Sequence, residues 1–268
     1  MTRKLGINVG AVANMLPCDA LELMREAGFE AFFTGSNVPE DVRAMKEKGE
    51  SLGMTLDFLH APFKEINTMW YAGADYIRVF NNMKQSIDAA ADNNIPAVVI
   101  HVSTDWVPPQ VNDRGFARYD ELVNHAGERG VQIAFENLRR IGNLACIAER
   151  YEKVPHVGFC YDTGHEHGYT APFQWMDLFK KKTLLTHIHD NMGPCDPSEG
   201  TPDYHWLPFD GTCDFRRVMS KLDQYGYTGT LMLEVSQKKK PEYLEMSPQD
   251  FLKTAFERIQ TISGYSTL

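Results

Sequence analysis

Two apolar runs, "VQIAFEN" (131–137) and "GTLMLEV" (229–235), close on glutamates, Glu136 and Glu234, where an unpaired charge is expensive to bury. Four other runs close on metal-binding side chains: "MTLDFLH" (54–60) on His60, "AVVIHV" (97–102) near His101, "VGFCYD" (157–162) on Asp162 and "LLTHIH" (184–189) on His189. Taken singly, each is most simply a turn or capping residue. Two glutamates, an aspartate and a histidine that converge on one axis need a cation among them. Oxygen donors with one imidazole suit Mn²⁺, Mg²⁺, Co²⁺ or Zn²⁺, and the donor types do not rank these. Loops offer more donors: "DTGHEHG" places His165 three residues beyond Asp162, and "PDYHW" sets Asp203 and His205 two apart. In "THIHDNMG", His187 precedes His189 by two, so both share the inward face of a strand, with His189 nearer the mouth. On spacing alone either histidine can serve as the ligand.

The elements that must hold these residues alternate along the chain. With "LGINVG" (5–10) and "EAFFTG" (30–35), the β-rich runs number eight, and each is followed by a stretch of helical spacing. The first helical stretch has Asp19 as cap and Gly28 as stop, and the fourth, "YDELVNHAGERG", begins at Tyr119. Eight strand–helix units over residues 1–268 predict a single α/β domain, a (β/α)8 TIM barrel, whose active site lies at the C-terminal strand ends. The glycine-rich phosphate signatures of an open doubly wound sheet are missing. A loop at 190–212 carries no element, and loops of that length are usually functional.

Composition excludes several partners. With 27 basic and 36 acidic residues the formal charge is −9, which argues against nucleic acid, whose binding draws on Lys and Arg. Five cysteines without a C-x-x-C pair suggest neither a disulfide framework nor a cysteine zinc site, and fit a reducing cytoplasm. No run reaches the ~18 apolar residues of a membrane span, so no membrane partner is expected. Trp70, Trp106 and Trp206 fall in post-strand loops, where they wall a small polar ligand or pack beneath the loops. Arg114, Arg118, Arg139 and Arg140 are read as facing water, and "QKKK" (237–240) as a solvated turn.

The motifs "LHAPF", "VVIHV", "IAFEN", "YDTGH", "THIHDN", "DYHW" and "LMLEV", in this order, resemble the xylose isomerase-like TIM-barrel superfamily, which joins sugar isomerases and epimerases to AP endonucleases of the second family. The resemblance covers about residues 5–262. Its sugar branch implies one divalent metal on Glu136, Asp162, His189 and Glu234; the second histidine of H-x-H is its usual ligand, which favours His189, with His187 as the fallback and otherwise a deeper residue that orients His189 or meets substrate. Glu136 and Glu234 double as catalytic acid and base, through a metal-stabilised enediolate, and His165 contacts substrate. His60, His101, His187, Asp203, His205 and Trp106 complete the expected substrate site for a small carbohydrate. The alternative branch implies a phosphodiesterase with up to three Zn²⁺, for which His60, His101, Glu136, Asp162, His165, His189, Asp203, His205 and Glu234 are candidates. Its members carry an arginine between the D-x-H ligands, where this chain has Tyr204. Dehydration of a keto-sugar or keto-inositol is a third outcome of the same proton abstraction. Exposed barrel faces often pair, which leaves a homo-oligomer open.

Overall fold

The computed structural model describes residues 3–195, 198, 200 and 202–267. Its eight strands are β1 (Leu5–Asn8), β2 (Ala31–Thr34), β3 (Thr55–His60), β4 (Ala97–Ile100), β5 (Gln132–Glu136), β6 (Val157–Asp162), β7 (Thr183–His187) and β8 (Leu231–Leu233). All ladders are parallel, in the order β7-β6-β5-β4-β3-β2-β1-β8. The predicted (β/α)8 TIM barrel is the fold. Strands buried on both faces need apolar residues on both, which is why these segments read as near-continuous hydrophobic runs.

The seam between β7 and β8 closes differently from the rest. Ile188 N–H donates to Met232 O at 2.8 Å, and Glu234 N–H donates to Ile188 O at 3.1 Å. Below them the Thr186 hydroxyl donates to Thr230 O and accepts from Met232 N–H, standing in for ladder bonds. The lumen is filled by Ala31, Phe33, Phe58, Ala97, Val99, Ala134, Cys160 and Met232, with the His187 ring stacked on Phe33 at 4.9 Å. Small residues beside large ones let this layer interdigitate, so the barrel is a packed core and not a pore.

Outside lie α1 (Pro17–Ala27), α2 (Pro39–Ser51), α3 (Tyr76–Asp92), α4 (Asp113–Arg129), α5 (Ile141–Arg150), the short α6 (Thr163–His165), α7 (Trp175–Phe179), α8 (Phe215–Gln224), α9 (Pro241–Leu244) and α10 (Pro248–Ser263). Two boundaries differ from the sequence reading. Asp19 lies inside the first turn of α1, which starts on Pro17 behind an uncapped Leu16; proline at that position lacks only an N–H that has no helical partner. Gly28 does end the helix, at φ +115°. Helix α4 starts at Asp113 and not at Tyr119, because the Asn112 side chain caps it by accepting from Gly115 N–H.

The 190–212 segment holds no α-helix among its described residues and is pinned by an antiparallel bridge between Asp190 and Trp206; Asp196, Pro197, Glu199 and Thr201 lie outside the described residues. Among the described residues no helix is long and apolar enough to cross a membrane.

Candidate active site

Glu136, Asp162 and His187 are the last residues of β5, β6 and β7, and Glu234 follows β8 directly. Parallel register sets Glu136 beside Cys160 and Asp162 beside His187, so strand ends deliver their side chains to one level. Donor atoms of Glu136, Asp162, His187 and Glu234 all lie within 4.8 Å of one another. His187 Nδ1 sits at the middle, 3.0 Å from Glu136 Oε1, 3.2 Å from Glu234 Oε2 and 3.8 Å from Asp162 Oδ2.

This differs from the expected ranking of the two histidines. His187, not His189, completes the quartet. Inward alternation holds for both, but the strand ends at His187, opposite Asp162. Two residues later the chain has risen above the level of the glutamates. There His189 Nε2 meets Asp162 Oδ1 at 3.1 Å, and its ring stacks on His205 at 4.3 Å. A slip in the β6–β7 register between Phe159 and Cys160, which sequence alternation does not reveal, sets which residue of β7 faces Asp162.

The remaining donors flank the quartet on two sides. His60 and His101 direct Nε2 at Glu136 Oε2, at 3.1 and 2.8 Å. On the other side Asp203 Oδ1 faces Nε2 of His205 at 3.0 Å, His165 at 3.4 Å and His189 at 4.0 Å. Three of these imidazoles are anchored alike: Nδ1–H of His60, His165 and His205 donates to the main-chain carbonyls of Ala61, Asn137 and Glu234 at 2.9–3.0 Å. That anchoring fixes the ring and leaves Nε2 as the atom aimed inward, the usual preparation of a metal-binding imidazole. Asp203 Oδ1 is buried without a hydrogen bond of good geometry. Carboxylate oxygens ringed by bare imidazole nitrogens repel unless a proton or cation lies between them, so the donor set fits a divalent metal.

Without a metal, protons take that role. Burial alone would raise Glu136, but the imidazoles of His187 and His101 hold it well below the usual carboxylate range. Loss of solvent opposes the cation at His165 and His187. Asp162 and Asp203 push His165 well above its ordinary value, while Cys160, Glu234 and Glu136 push up His187. At His205 the Asp203 carboxylate outweighs the same desolvation and raises it to about 9. Asp203 is correspondingly held well below its ordinary value by His205 and His165, against its own desolvation.

Several supports had no clear sequence signal. Asn137 ties β5 to β6, donating to Asp162 O and accepting from Asp162 N–H, both at 2.8 Å. Asp190 is fully buried and accepts from the N–H groups of Asn191, Phe209, Gly211 and Cys213, so it folds the loop and does not face substrate. Gly164 must be glycine, since a Cβ there would lie 2.0 Å from the His189 ring. An amide or acid directly after a strand-end ligand was the only hint of the first two.

Of the tryptophans, Trp70 is core and donates to Val102 O, and Trp206 stacks on Tyr204; Trp106 does not line the donor cavity and packs edge-on against Tyr169. Arg118 is buried among the carbonyls of Thr68, Met69 and Tyr71, and Arg139 is half-buried and lines the site, so neither faces water as the sequence suggests. In "QKKK", Gln237 is buried, bonding Tyr243 O and Met246 O, and Lys239 donates to Asp203 O. The cavity over the donors encloses about 110 Å³. A second lobe of about 260 Å³ opens beside it toward Asn8, Gly10, Phe33 and Thr34, and His60, Phe63 and Glu234 line both. A larger hollow of about 520 Å³ lies at the opposite barrel end, by Lys180 and Tyr225, away from every donor.

The model of the xylose isomerase-like TIM barrel family matches residues 21–255. The chain belongs to that family. The uncharacterised protein y4fM of Sinorhizobium fredii is 32% identical over 170 residues, 57% of this chain and 51% of its own length, so the chain spans about half of that relative. Among solved structures, the zinc-bound IolI protein superposes with TM-score 0.77 at 18% identity, covering 99% of this chain and 100% of its own. A D-psicose 3-epimerase with D-tagatose from Clostridium cellulolyticum superposes with TM-score 0.75 at 14% identity, covering 98% of each chain. At such identities these likenesses bear on the fold.

Two outcomes follow from the geometry. Substituting His187 by Ala should abolish tight binding of Mn²⁺ in calorimetric titration, while His189→Ala weakens it less; equal loss in both would contradict the ranking. In the metal-free protein the raised histidines stabilise the fold fully below the ordinary imidazole value of 6.5, and that contribution is lost as pH rises through about 9 for His205. Denaturant midpoints of chelator-treated protein should therefore fall from pH about 6.5 to 9, while metal affinity rises over the same range as coordination displaces protons. A midpoint that rises with pH would contradict the assignment.

Proposed function

We propose that the chain is a divalent-metal-dependent isomerase or epimerase of a small sugar or sugar derivative. The observation that carries this reading is the placement of Glu136 and Glu234. They come from β5 and β8, which β6 and β7 separate in the barrel wall, and both approach one point at His187 Nδ1, at 3.0 and 3.2 Å. Glu136, Asp162, His187 and Glu234 would hold the metal, which when bound supplies Lewis-acid polarisation of a carbonyl and neighbouring hydroxyl, acidifying the C–H between them.

The chain's own groups do the rest. Glu234 lines both lobes and keeps 20% of its side chain exposed, so it meets the substrate C–H most directly. Glu136 is 1% exposed and held ionised by its imidazoles, and is the second carboxylate placed for the proton transfer. His165 and His205, anchored through Nδ1, are placed to hold substrate oxygens. Phe63 stacks on His101 at 4.1 Å and shields that edge from water.

A second reading, multi-metal phosphodiester hydrolysis, draws support from the flanking sets His60–His101–Glu136 and His189–Asp203–His205, each with donors within 4.8 Å. The formal charge of −9 and Tyr204 weigh against it. Expected of that reading is cleavage of an abasic-site duplex, with affinity falling steeply with salt; the isomerase reading predicts no cleavage.

Glu136→Gln and Glu234→Gln should each slow deuterium exchange from D2O into ketoses and aldoses turned over by the enzyme, by about 10²-fold or more, the size of a lost general base. Unchanged exchange in both variants would overturn the mechanism.

A further inference from the structure

Arg139 sits three residues beyond Glu136 and lines the same cavity as seven of the donors described above, yet within 4 Å it forms no ion pair with any described carboxylate. Several other arginines are paired with carboxylates, among them Arg3 with Asp223, Arg150 with Asp120, Arg217 with Glu166 and Arg258 with Asp210. Arg139 is instead held by aromatic rings. Its Nη2 donates to the Tyr169 hydroxyl at 2.8 Å, its guanidinium carbon lies 4.1 Å from the Tyr169 ring centroid and 5.5 Å from that of Trp106, and those two rings meet at 85°. Tyr169 in turn stacks on His165 at 5.1 Å, which ties the arginine to the donor cluster. Cation–π contact holds a guanidinium without using up its donor edge. Arg139 Nε is buried without a hydrogen-bond partner, an expense a fold bears only where something else supplies the acceptor.

We infer that Arg139, clamped by Tyr169 and Trp106, is a specificity-determining residue that receives a carboxylate or phosphate on the substrate. The inference rests on the reading of this site as one for a small sugar derivative, and it names the class: an acidic derivative, not a neutral sugar. A planar fork of N–H donors matches two oxygens of either anion, with charge-assisted bonds stronger than neutral ones. The cavity also gives the ligand a direction. The lobe by Asn8, Gly10, Phe33 and Thr34 carries no charged side chain of its own apart from the shared Glu234 and the histidine His60, and suits the uncharged hydroxylated end. The anionic end lies toward Arg139, and the carbons between them cross Glu234.

The test uses full-length protein loaded with Mn²⁺ and titrated by calorimetry with glycerate, glycerol phosphate and erythritol, for wild type, Arg139→Met and Arg139→Lys. At least one anion should bind wild type about tenfold or more tightly than erythritol, and Arg139→Met should erase that advantage while Mn²⁺ stoichiometry and erythritol binding stay unchanged. Arg139→Lys should restore part of it. Whichever anion shows the loss distinguishes carboxylate from phosphate. Equal anion affinity in wild type and Arg139→Met, preference for erythritol, or no binding of any probe to wild type would each overturn the inference. Failure of Mn²⁺ to bind either protein would instead overturn the metal reading, while the anion comparison in the same samples still decides Arg139.

Discussion

Four carboxylates gathered at one end of a barrel are the constraint on which the rest of this structure depends. Glu136 and Asp162 are fully enclosed, while Asp203 and Glu234 are partly buried. Bringing like charges out of water and within a few ångströms of each other is unfavourable by several kcal/mol per ion unless opposite charge is interposed. Every surrounding feature answers that demand. Six imidazoles point nitrogen atoms at the carboxylates, three of them fixed through Nδ1 to main-chain carbonyls, and either protons or a cation must fill the space between.

The barrel makes such an arrangement affordable because its strands are short, rigid and packed on both faces. Ladder register, not loop conformation, sets the positions of Glu136, Asp162 and His187, and a packed lumen of Phe33, Phe58 and Cys160 supports His187 from below. A loop adds further donors. Asp203 and His205 arrive on a segment whose course is dictated by the buried Asp190 and its four backbone donors. The site thus has a fixed floor made by strands and a wall made by a loop, the division of labour usual where a scaffold holds the chemistry and loops choose the substrate.

Much of this was legible in the residues themselves. Eight buried parallel strands leave eight apolar runs, and donors at their ends stand out because apolar runs rarely close on Glu or His. What was not legible lies in relations between segments. His187 and His189 share a face, and only the slipped pairing of β7 with β6 decides which one meets Glu136 and Glu234. The cap at Asn112, the tie at Asn137 and the role of Asp190 are backbone bonds across distant positions, invisible to spacing. Arg139 reads as a loop arginine in water because nothing local announces that Trp106, from the loop after β4, and Tyr169, from the helical turn after β6, close over it.

The central claim is that the strand-end quartet is a metal centre for one cation. Elemental analysis of the purified, desalted protein tests it most directly. The account predicts about one divalent metal per chain, removed by chelation and absent from a variant lacking His187. Three metals per chain would favour the multi-metal reading, and a fully folded, active protein with none would contradict the account.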